Sequence, residues 1–137
     1  MKLSARNQFA GKVTAVESGA VNGIVTIDVK GIPVKAKISM NAIQELGLEE
    51  GKDAVAIIKA TEVMVATDAG AISARNKFAG KVVSVEKGVV NDIVKIETAA
   101  GTVSATISDS AVRELGLAEG KDAVAVVKAT SVMVGVE

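Results

Sequence analysis

Two short stretches of the sequence each combine a hydroxyl side chain with a cation. Ser4 and Arg6 are two residues apart, so on an extended segment a hydroxyl donor and a guanidinium fork project to the same side. Lys59 ends an apolar run, and Thr61 lies two residues further on, on the same face if the strand continues. Donors without carboxylates among them suit a compact oxyanion that is held by charge-assisted hydrogen bonds and left unchanged.

A third donor stands at the start of the one helical segment. Ser39 occupies the position expected of an N-cap, and Gly47 supplies a left-handed stop. Between them lies an apolar stripe at helical spacing, formed by Ala42, Ile43 and Leu46. The free N–H groups and the positive dipole end at a helix start favour a negative ligand.

Each of these residues also has a purely structural interpretation. Ser39 can be a plain N-cap, Lys59 a solvated strand end and Thr61 a good strand residue. Arg6 can form a surface ion pair with Glu17 or Glu45.

The second half of the chain repeats the first without a gap. With Ser4 aligned to Ser73, about 39 of about 62 positions are identical, which chance does not supply. The donor set recurs in the second copy as Ser73, Arg75, Ser108, Lys128 and Thr130. Three lysines of the first copy, Lys30, Lys35 and Lys37, are replaced by Ala99, Ser104 and Thr106. Joint retention of the donors favours a shared binding role.

The segments that must position these donors have the pattern of strands. Residues 24–30 and 34–38 alternate with period two, and residues 9–17, 54–59 and 62–65 are rich in β-branched side chains. Five strands, with one short helix between the third and fourth, predict an all-β fold of two tandem OB-like five-stranded Greek-key barrels.

The repeat divides the chain into a first module at residues 1–66 and a second at 67–137. The bridge at residues 66–72 is short, so we expect the modules to sit against each other. Residues 29–33 match nothing in the second copy, as expected of a solvated hairpin turn. A module of ~65 residues buries only about 60% of its unfolded surface, which favours association of modules and of chains.

The composition excludes several classes of function. The chain has no His and no Cys, so it lacks an imidazole base, a thiolate nucleophile and a site for soft metal cations. The 16 basic residues balance the 16 acidic ones, and there are only two aromatic residues, which argues against nucleic acid as a partner. No apolar run approaches the ~20 residues that span a bilayer, and no signal peptide is visible. We therefore expect a cytoplasmic protein without a membrane partner.

Competing motifs fail on inspection. Residues 47–53 have one residue too few between the glycines for a P-loop, and Asp53 stands where Ser or Thr is needed.

The Gly-x-Val-Asn turns that end at Asn22 and Asn91 are either a second anion nest or simple bends between strands. Carboxylates do not recur at the spacing of an acid/base pair near a nucleophile, so no catalytic residue and no enzymatic activity are predicted.

The order of the motifs is similar to that of a known family. Each copy contains, in this order, Ser-Ala-Arg-Asn, Phe-Ala-Gly-Lys-Val, Ile-Ser, Glu-Leu-Gly-Leu, Gly-Lys-Asp-Ala-Val and Lys-Ala-Thr. The chain resembles the molybdenum-binding Mop (TOBE) family over nearly its whole length, twice, and most closely its tandem-module molbindins.

The resemblance implies an OB-like module that binds molybdate, often also tungstate, at interfaces between modules of a symmetric assembly. The ligands carried over by motif are Ser4, Arg6 and Lys59, then Ser73, Arg75 and Lys128, with Ser39 and Ser108 from the segments before the helices. Some family members have a further hydroxyl three residues after that serine, where this chain has Ala42 and Ala111. A second oxyanion class around a threefold axis is assigned to Asn22 and Asn91.

The resulting hypothesis is a non-enzymatic protein for intracellular molybdenum storage and homeostasis. Its bound ligand would be molybdate or tungstate, and its assembly a homo-oligomer, namely a trimer of tandem chains. The alternative is a β-barrel scaffold or interaction module whose arginines and lysines form ion pairs between subunits.

Overall fold

The structure, a computed structural model, describes residues 1–137 and contains two five-stranded antiparallel sheets. The strands of the first copy are β1 (Asn7–Glu17), β2 (Asn22–Val29), β3 (Ile32–Ser39), β4 (Asp53–Ile58) and β5 (Met64–Ala66). Those of the second are β6 (Asn76–Glu86), β7 (Asn91–Thr98), β8 (Gly101–Ser108), β9 (Asp122–Val127) and β10 (Met133–Gly135). The helices are α1 (Met40–Glu45) and α2 (Asp109–Leu115), and 3₁₀ turns occupy Ala60–Glu62 and Ala129–Ser131. The predicted tandem OB-like, all-β fold with one short helix per copy is confirmed.

Burial along the strands follows the period-two pattern. In β3, Val34 and Ala36 are fully buried whereas Pro33 and Lys37 are exposed. The inward residues of both copies, mostly Val, Ala and Ile with both phenylalanines, form one cluster of 26 buried residues. The two copies therefore share a continuous core, as the short bridge between them predicts.

Local turn and cap chemistry also follows the sequence. The β2–β3 hairpin turns at Lys30 and Gly31, whose φ angles of 52° and 88° are typical of a two-residue turn with the twist that hairpins require. Ser39 caps α1, because its hydroxyl oxygen accepts a hydrogen bond from the Ala42 N–H at 3.1 Å. Gly47 follows the helix with φ 62°, the left-handed conformation that ends it.

The strand that ends near Lys59 does not continue through Thr61, so the condition for a shared strand face is not met. The chain leaves β4 after Ile58 and makes a 3₁₀ turn at Ala60–Glu62, so β5 begins at Met64 rather than at residue 62. The N–H of Glu62 donates to the carbonyl oxygen of Lys59 at 2.9 Å and closes this turn. Thr61 consequently reaches the neighbourhood of Lys59 through a turn, not through alternation along a strand.

The fifth strand of each copy joins the sheet of the other copy. β10 pairs with β4, whereas β5 pairs with β9, which gives the orders β10-β4-β1-β2-β3 and β5-β9-β6-β7-β8. β10 also contacts β3, and β5 contacts β8, which brings the two edges of each sheet together. The division at residues 66 and 67 stays a prediction about the repeat, since each sheet takes its last strand from the other half.

Two buried asparagines add a second link between the copies. The Asn7 side chain donates to the carbonyl oxygen of Ser104 and accepts from its N–H, both at 2.8 Å. Asn76 makes the same pair of 2.8 Å bonds with the backbone of Lys35. β3 and β8 are the outer strands of their sheets, so their outward N–H and C=O groups have no neighbouring strand. Each asparagine side-chain amide forms the two hydrogen bonds that a residue of a neighbouring strand would form.

Neither helix has the length and apolar character needed to cross a membrane.

Candidate functional site

Four of the predicted donors of the first copy line a single surface depression of about 340 Å³, which we call the first hollow. Its residues are Leu3, Ser4, Ala5, Arg6, Lys59, Ala60, Thr61 and Met133. Ser4 and Arg6 lie directly before β1, and Lys59 lies directly after β4. The pairing of Asn7 with Ile58 across these two strands brings Arg6 and Lys59 to the same end of the sheet.

The second copy forms an equivalent depression of about 340 Å³, the second hollow. Its residues are Lys37, Met64, Ile72, Ser73, Ala74, Arg75, Lys128, Ala129 and Thr130. Here Asn76 pairs with Val127, so that Arg75 and Lys128 meet as Arg6 and Lys59 do.

Each hollow is completed by the other half of the chain. Met133 of β10 lines the first hollow and Met64 of β5 lines the second, because these strands are exchanged between the sheets. Both methionine side chains are partly exposed and give each hollow an apolar wall. Each hollow therefore has donors on one side and an apolar side chain from the other half of the chain on another.

The electrostatics of both hollows favour a negative ligand. No carboxylate lines either one. Arg6, Lys59, Arg75 and Lys128 form no ion pair, and the pairing of Arg6 with Glu17 or Glu45 considered from the sequence does not occur. Each hollow therefore presents two hydroxyls and at least two uncompensated cations, which can hold a small anion but contain no base, nucleophile or acid/base pair.

A larger depression of about 820 Å³ is a poorer candidate. It is lined by three lysines and three carboxylates, namely Lys12, Lys30, Lys52, Asp28, Asp53 and Glu137. Lys12 Nζ is already 2.6 Å from Asp53 Oδ1, and Lys52 Nζ donates to the carbonyl oxygen of Leu46 at 2.8 Å. The carboxylates repel an oxyanion and neutralise part of the positive charge of the lysines. The volume of a depression alone therefore does not identify the anion site.

The structure does not place Ser39 and Ser108 in the hollows. Both are exposed N-caps, and Ser108 accepts from the Ala111 N–H at 3.1 Å as Ser39 does from Ala42. Ser39 lies opposite Asn22 in the β2–β3 pairing. Asn22 and Arg6 flank opposite ends of β1, an 11-residue strand that is roughly 35 Å long when extended.

Ser39 instead lies on the side of the second hollow. It is two residues beyond Lys37 on β3, which corresponds to roughly 7 Å along the strand. In the second copy, Ser108 is opposite Asn91 in the same register. The predicted serine and asparagine positions are thus neighbours of each other, apart from the hollow of their own copy.

Sequence reasoning missed two contributions to this region. Lys37 was not assigned to a site because its counterpart is Thr106, yet it lines the second hollow. Asn7 and Asn76 recur in both copies, and their recurrence reflects the buried contact between copies rather than ligand binding.

The fold and the hollows define the class of protein: a tandem pair of small β-barrels, each with a donor-only hollow that both halves of the chain build. The TOBE domain matches the chain twice, at residues 3–65 and 72–134. The chain therefore belongs to the TOBE domain family, and the resemblance seen in the sequence is confirmed.

The similar proteins include one about twice as long as this chain and one about half as long. The chain is 41% identical over 141 residues to the molybdenum transport protein ModE of Herbaspirillum seropedicae, covering 100% of this chain and 52% of that protein. It is 61% identical over 69 residues to a probable molybdenum-pterin-binding protein of Haemophilus influenzae, covering 50% of this chain and 100% of that protein. The chain thus spans about half the length of the curated ModE relative.

A solved structure matches the whole molecule. It is that of the cytoplasmic molybdate-binding protein ModG with molybdate bound, with a TM-score of 0.96 and 40% sequence identity over 100% of both chains.

Proposed function

We propose that this chain binds molybdate non-covalently in its two hollows and holds it for intracellular molybdenum storage and homeostasis. The observation that carries the proposal is the meeting of Ser4, Arg6 and Lys59 around a hollow without a carboxylate, repeated by Ser73, Arg75 and Lys128 in the second copy. Molybdate near neutral pH is a tetrahedral dianion that carries no proton, so a shell made only of donors matches it. Relatives that bind molybdenum compounds and the molybdate-bound neighbour support this ligand.

Each side chain has a distinct role in this proposal. The guanidinium of Arg6 or Arg75 offers two parallel N–H donors to two molybdate oxygens, whereas Lys59 or Lys128 supplies a compact charge. The hydroxyls of Ser4 and Thr61, like those of Ser73 and Thr130, donate to the remaining oxygens. Tungstate has the same shape and charge and is expected to bind as well. The protein binds without catalysis, because nothing in either hollow transfers a proton or attacks the ligand.

Association of chains is part of the proposed function. We expect a homo-oligomer, a trimer of tandem chains, in the cytoplasm, with a second anion class near Asn22, Ser39, Asn91 and Ser108. Supporting this, the apolar side chains beside the two asparagines are unusually exposed: Val21 at 73%, Val89 at 100% and Val90 at 71%. Apolar turn tips of this kind are typical of surfaces that another chain covers. The balanced charge gives no attraction for nucleic acid.

The alternative, a scaffold with arginine and lysine ion pairs, has no comparable support. It requires carboxylates from a partner chain beside the cations, whereas the neighbour that matches this fold over its whole length holds molybdate.

Isothermal titration calorimetry with molybdate, tungstate, sulfate and phosphate tests the proposal. Arg6→Ala and Arg75→Ala should each weaken molybdate binding at the affected hollow by about 1.5–3 kcal/mol, the value of a hydrogen bond to a charged group. Arg113→Ala is the matched control, because Arg113 lies on α2 outside both hollows. Wild-type affinity in both of the first two variants would show that these arginines are structural, and no heat with molybdate would end the proposal.

A further inference from the structure

The two hollows differ by one cation. Lys37 lines the second hollow together with Arg75 and Lys128, whereas the cations of the first hollow are Arg6 and Lys59 alone. The residue that corresponds to Lys37 in the second copy is Thr106, which is neutral. The repeat is therefore nearly symmetric in its donors but asymmetric in its charge.

The contacts between copies explain why Lys37 faces the second hollow. Asn76 binds both backbone groups of Lys35 at 2.8 Å and so holds β3 against the start of β6, directly beside Arg75. Lys37 is two residues further along β3 and follows the same edge toward the 3₁₀ turn that contains Thr130. Its side chain is exposed and forms no ion pair.

The mirror contact involves β8, where Thr106 occupies the position that Lys37 has on β3. Asn7 binds the backbone of Ser104 at 2.8 Å, and Thr106 lies two residues further on β8. Thr106 is uncharged and partly buried, and it is not among the residues that line the first hollow.

We propose that the second hollow is the higher-affinity oxyanion site and that Lys37 is the residue responsible for the difference. This inference rests on the proposed function of the hollows. A dianion gains the attraction of a third cation in the second hollow, which corresponds to about a 5- to 30-fold tighter dissociation constant when the two charges are ~4 Å apart and in contact with water, as the exposed Lys37 is. Because the additional attraction is screened by salt, the two hollows become more alike as ionic strength rises.

Titration of the full chain with sodium molybdate at low ionic strength tests this inference. For the two hollows we expect two classes of site in equal number, with dissociation constants that differ by about 5- to 30-fold, separate from any anions bound near Asn22 and Asn91. Arg75→Ala should weaken binding at the tight class and leave the weak class unchanged, whereas Arg6→Ala should weaken binding at the weak class alone. Lys37→Thr should lower the affinity of the tight class to that of the weak one, and Thr106→Lys should raise the affinity of the first hollow.

The control is Lys30→Asn, which removes one positive charge from the same copy at a residue outside both hollows. Asn tolerates the positive φ of 52° at this position. Unchanged binding in Lys37→Thr, or an equal loss in Lys30→Asn, overturns the inference while molybdate binding itself stands. A wild-type chain that releases no heat with molybdate overturns both.

Discussion

The Ser-Ala-Arg-Asn motif places its binding and its folding residues on opposite sides of one extended segment. Arg6 is exposed in the first hollow, and Asn7, the next residue, is 1% exposed and bonded to Ser104 of the other copy. Alternation along an extended chain puts neighbouring side chains on opposite faces. The contact that joins the copies therefore also fixes the backbone that carries the arginine.

Asn7→Ala should destabilise the folded chain by about 2–4 kcal/mol, because the N–H and C=O of Ser104 both lose their partner in a buried position. Urea unfolding monitored by circular dichroism measures this change. Asn41→Ala, at an exposed asparagine, is the control. Equal stability of the two variants would mean that water replaces the amide without cost.

Among the single elements, the two helices begin in differently built corners of the sheet. In the first copy, Gly23 packs so closely that an added Cβ would lie 2.7 Å from Ile43 and 2.9 Å from Met40. The second copy has Asp92 and Asp109 at the positions of Gly23 and Met40. Asp92 is fully buried and accepts from the Gly88 N–H at 2.9 Å. One packed apolar corner is thus replaced by two carboxyl groups that share Lys87, whose Nζ is 3.6 Å from Asp92 Oδ2 and 3.2 Å from Asp109 Oδ1.

This pair makes the stability of the second copy depend on pH in the acid range. A hydrogen bond with the carboxyl group of Asp92, and then one with Lys87, whose Nζ is 3.2 Å away, lowers the pKa of Asp109. A lowered pKa stabilises the folded state fully above the unfolded value of ~3.9, and this contribution disappears as pH falls through the lowered value. The Tm of Asp109→Asn should therefore fall less than the Tm of the wild type as the pH is lowered from about 4.

Thermal unfolding across that pH range measures the difference. Asp68→Asn serves as the control, since Asp68 is exposed and outside every ion pair of the chain. Parallel Tm curves for Asp109→Asn and the wild type would contradict the assigned role.

At the scale of the whole molecule, the exchange of β5 and β10 makes the two halves depend on each other. Met133 pairs with Ile57 and Gly135 pairs with Val55, so the outer edge of β4 is covered by the end of the other copy. The same two strands supply the methionines of the hollows. Neither half holds a complete sheet or a complete hollow within residues 1–66 or 67–137.

Removal of residues 133–137 should therefore weaken the first sheet, although the deletion lies in the second copy. Backbone amides of β4 should exchange with solvent faster, while β9 stays protected because β5 still covers it. Hydrogen exchange followed by mass spectrometry distinguishes the two sheets, and removal of residues 136–137 alone is the matched control. Faster exchange in β9 instead of β4 would show that β10 belongs to its own copy.

The local structure and the donor sets can be predicted from the order of residues along the chain. Alternation along residues 24–38, the Ser39 cap, the Gly47 stop and the turn at residues 29–33 depend on neighbours along the chain, which the sequence displays directly. The repeat indicates that Arg6 and Lys59 act together, whereas the pairing of β1 with β4 in the structure brings them to the same end of the sheet.

Only the tertiary structure decided the exchange of β5 and β10, the pairing of Asn7 with Ser104 and the position of Lys37 in the second hollow. The reason is physical: periodicity specifies which face of a strand is buried, but backbone edges of two nearly identical copies offer the same hydrogen bonds. Met64-Val65 and Met133-Val134 fit either edge equally well as sequences. Which edge each strand covers, and hence which lysine reaches which hollow, depends on how the two copies pack in space.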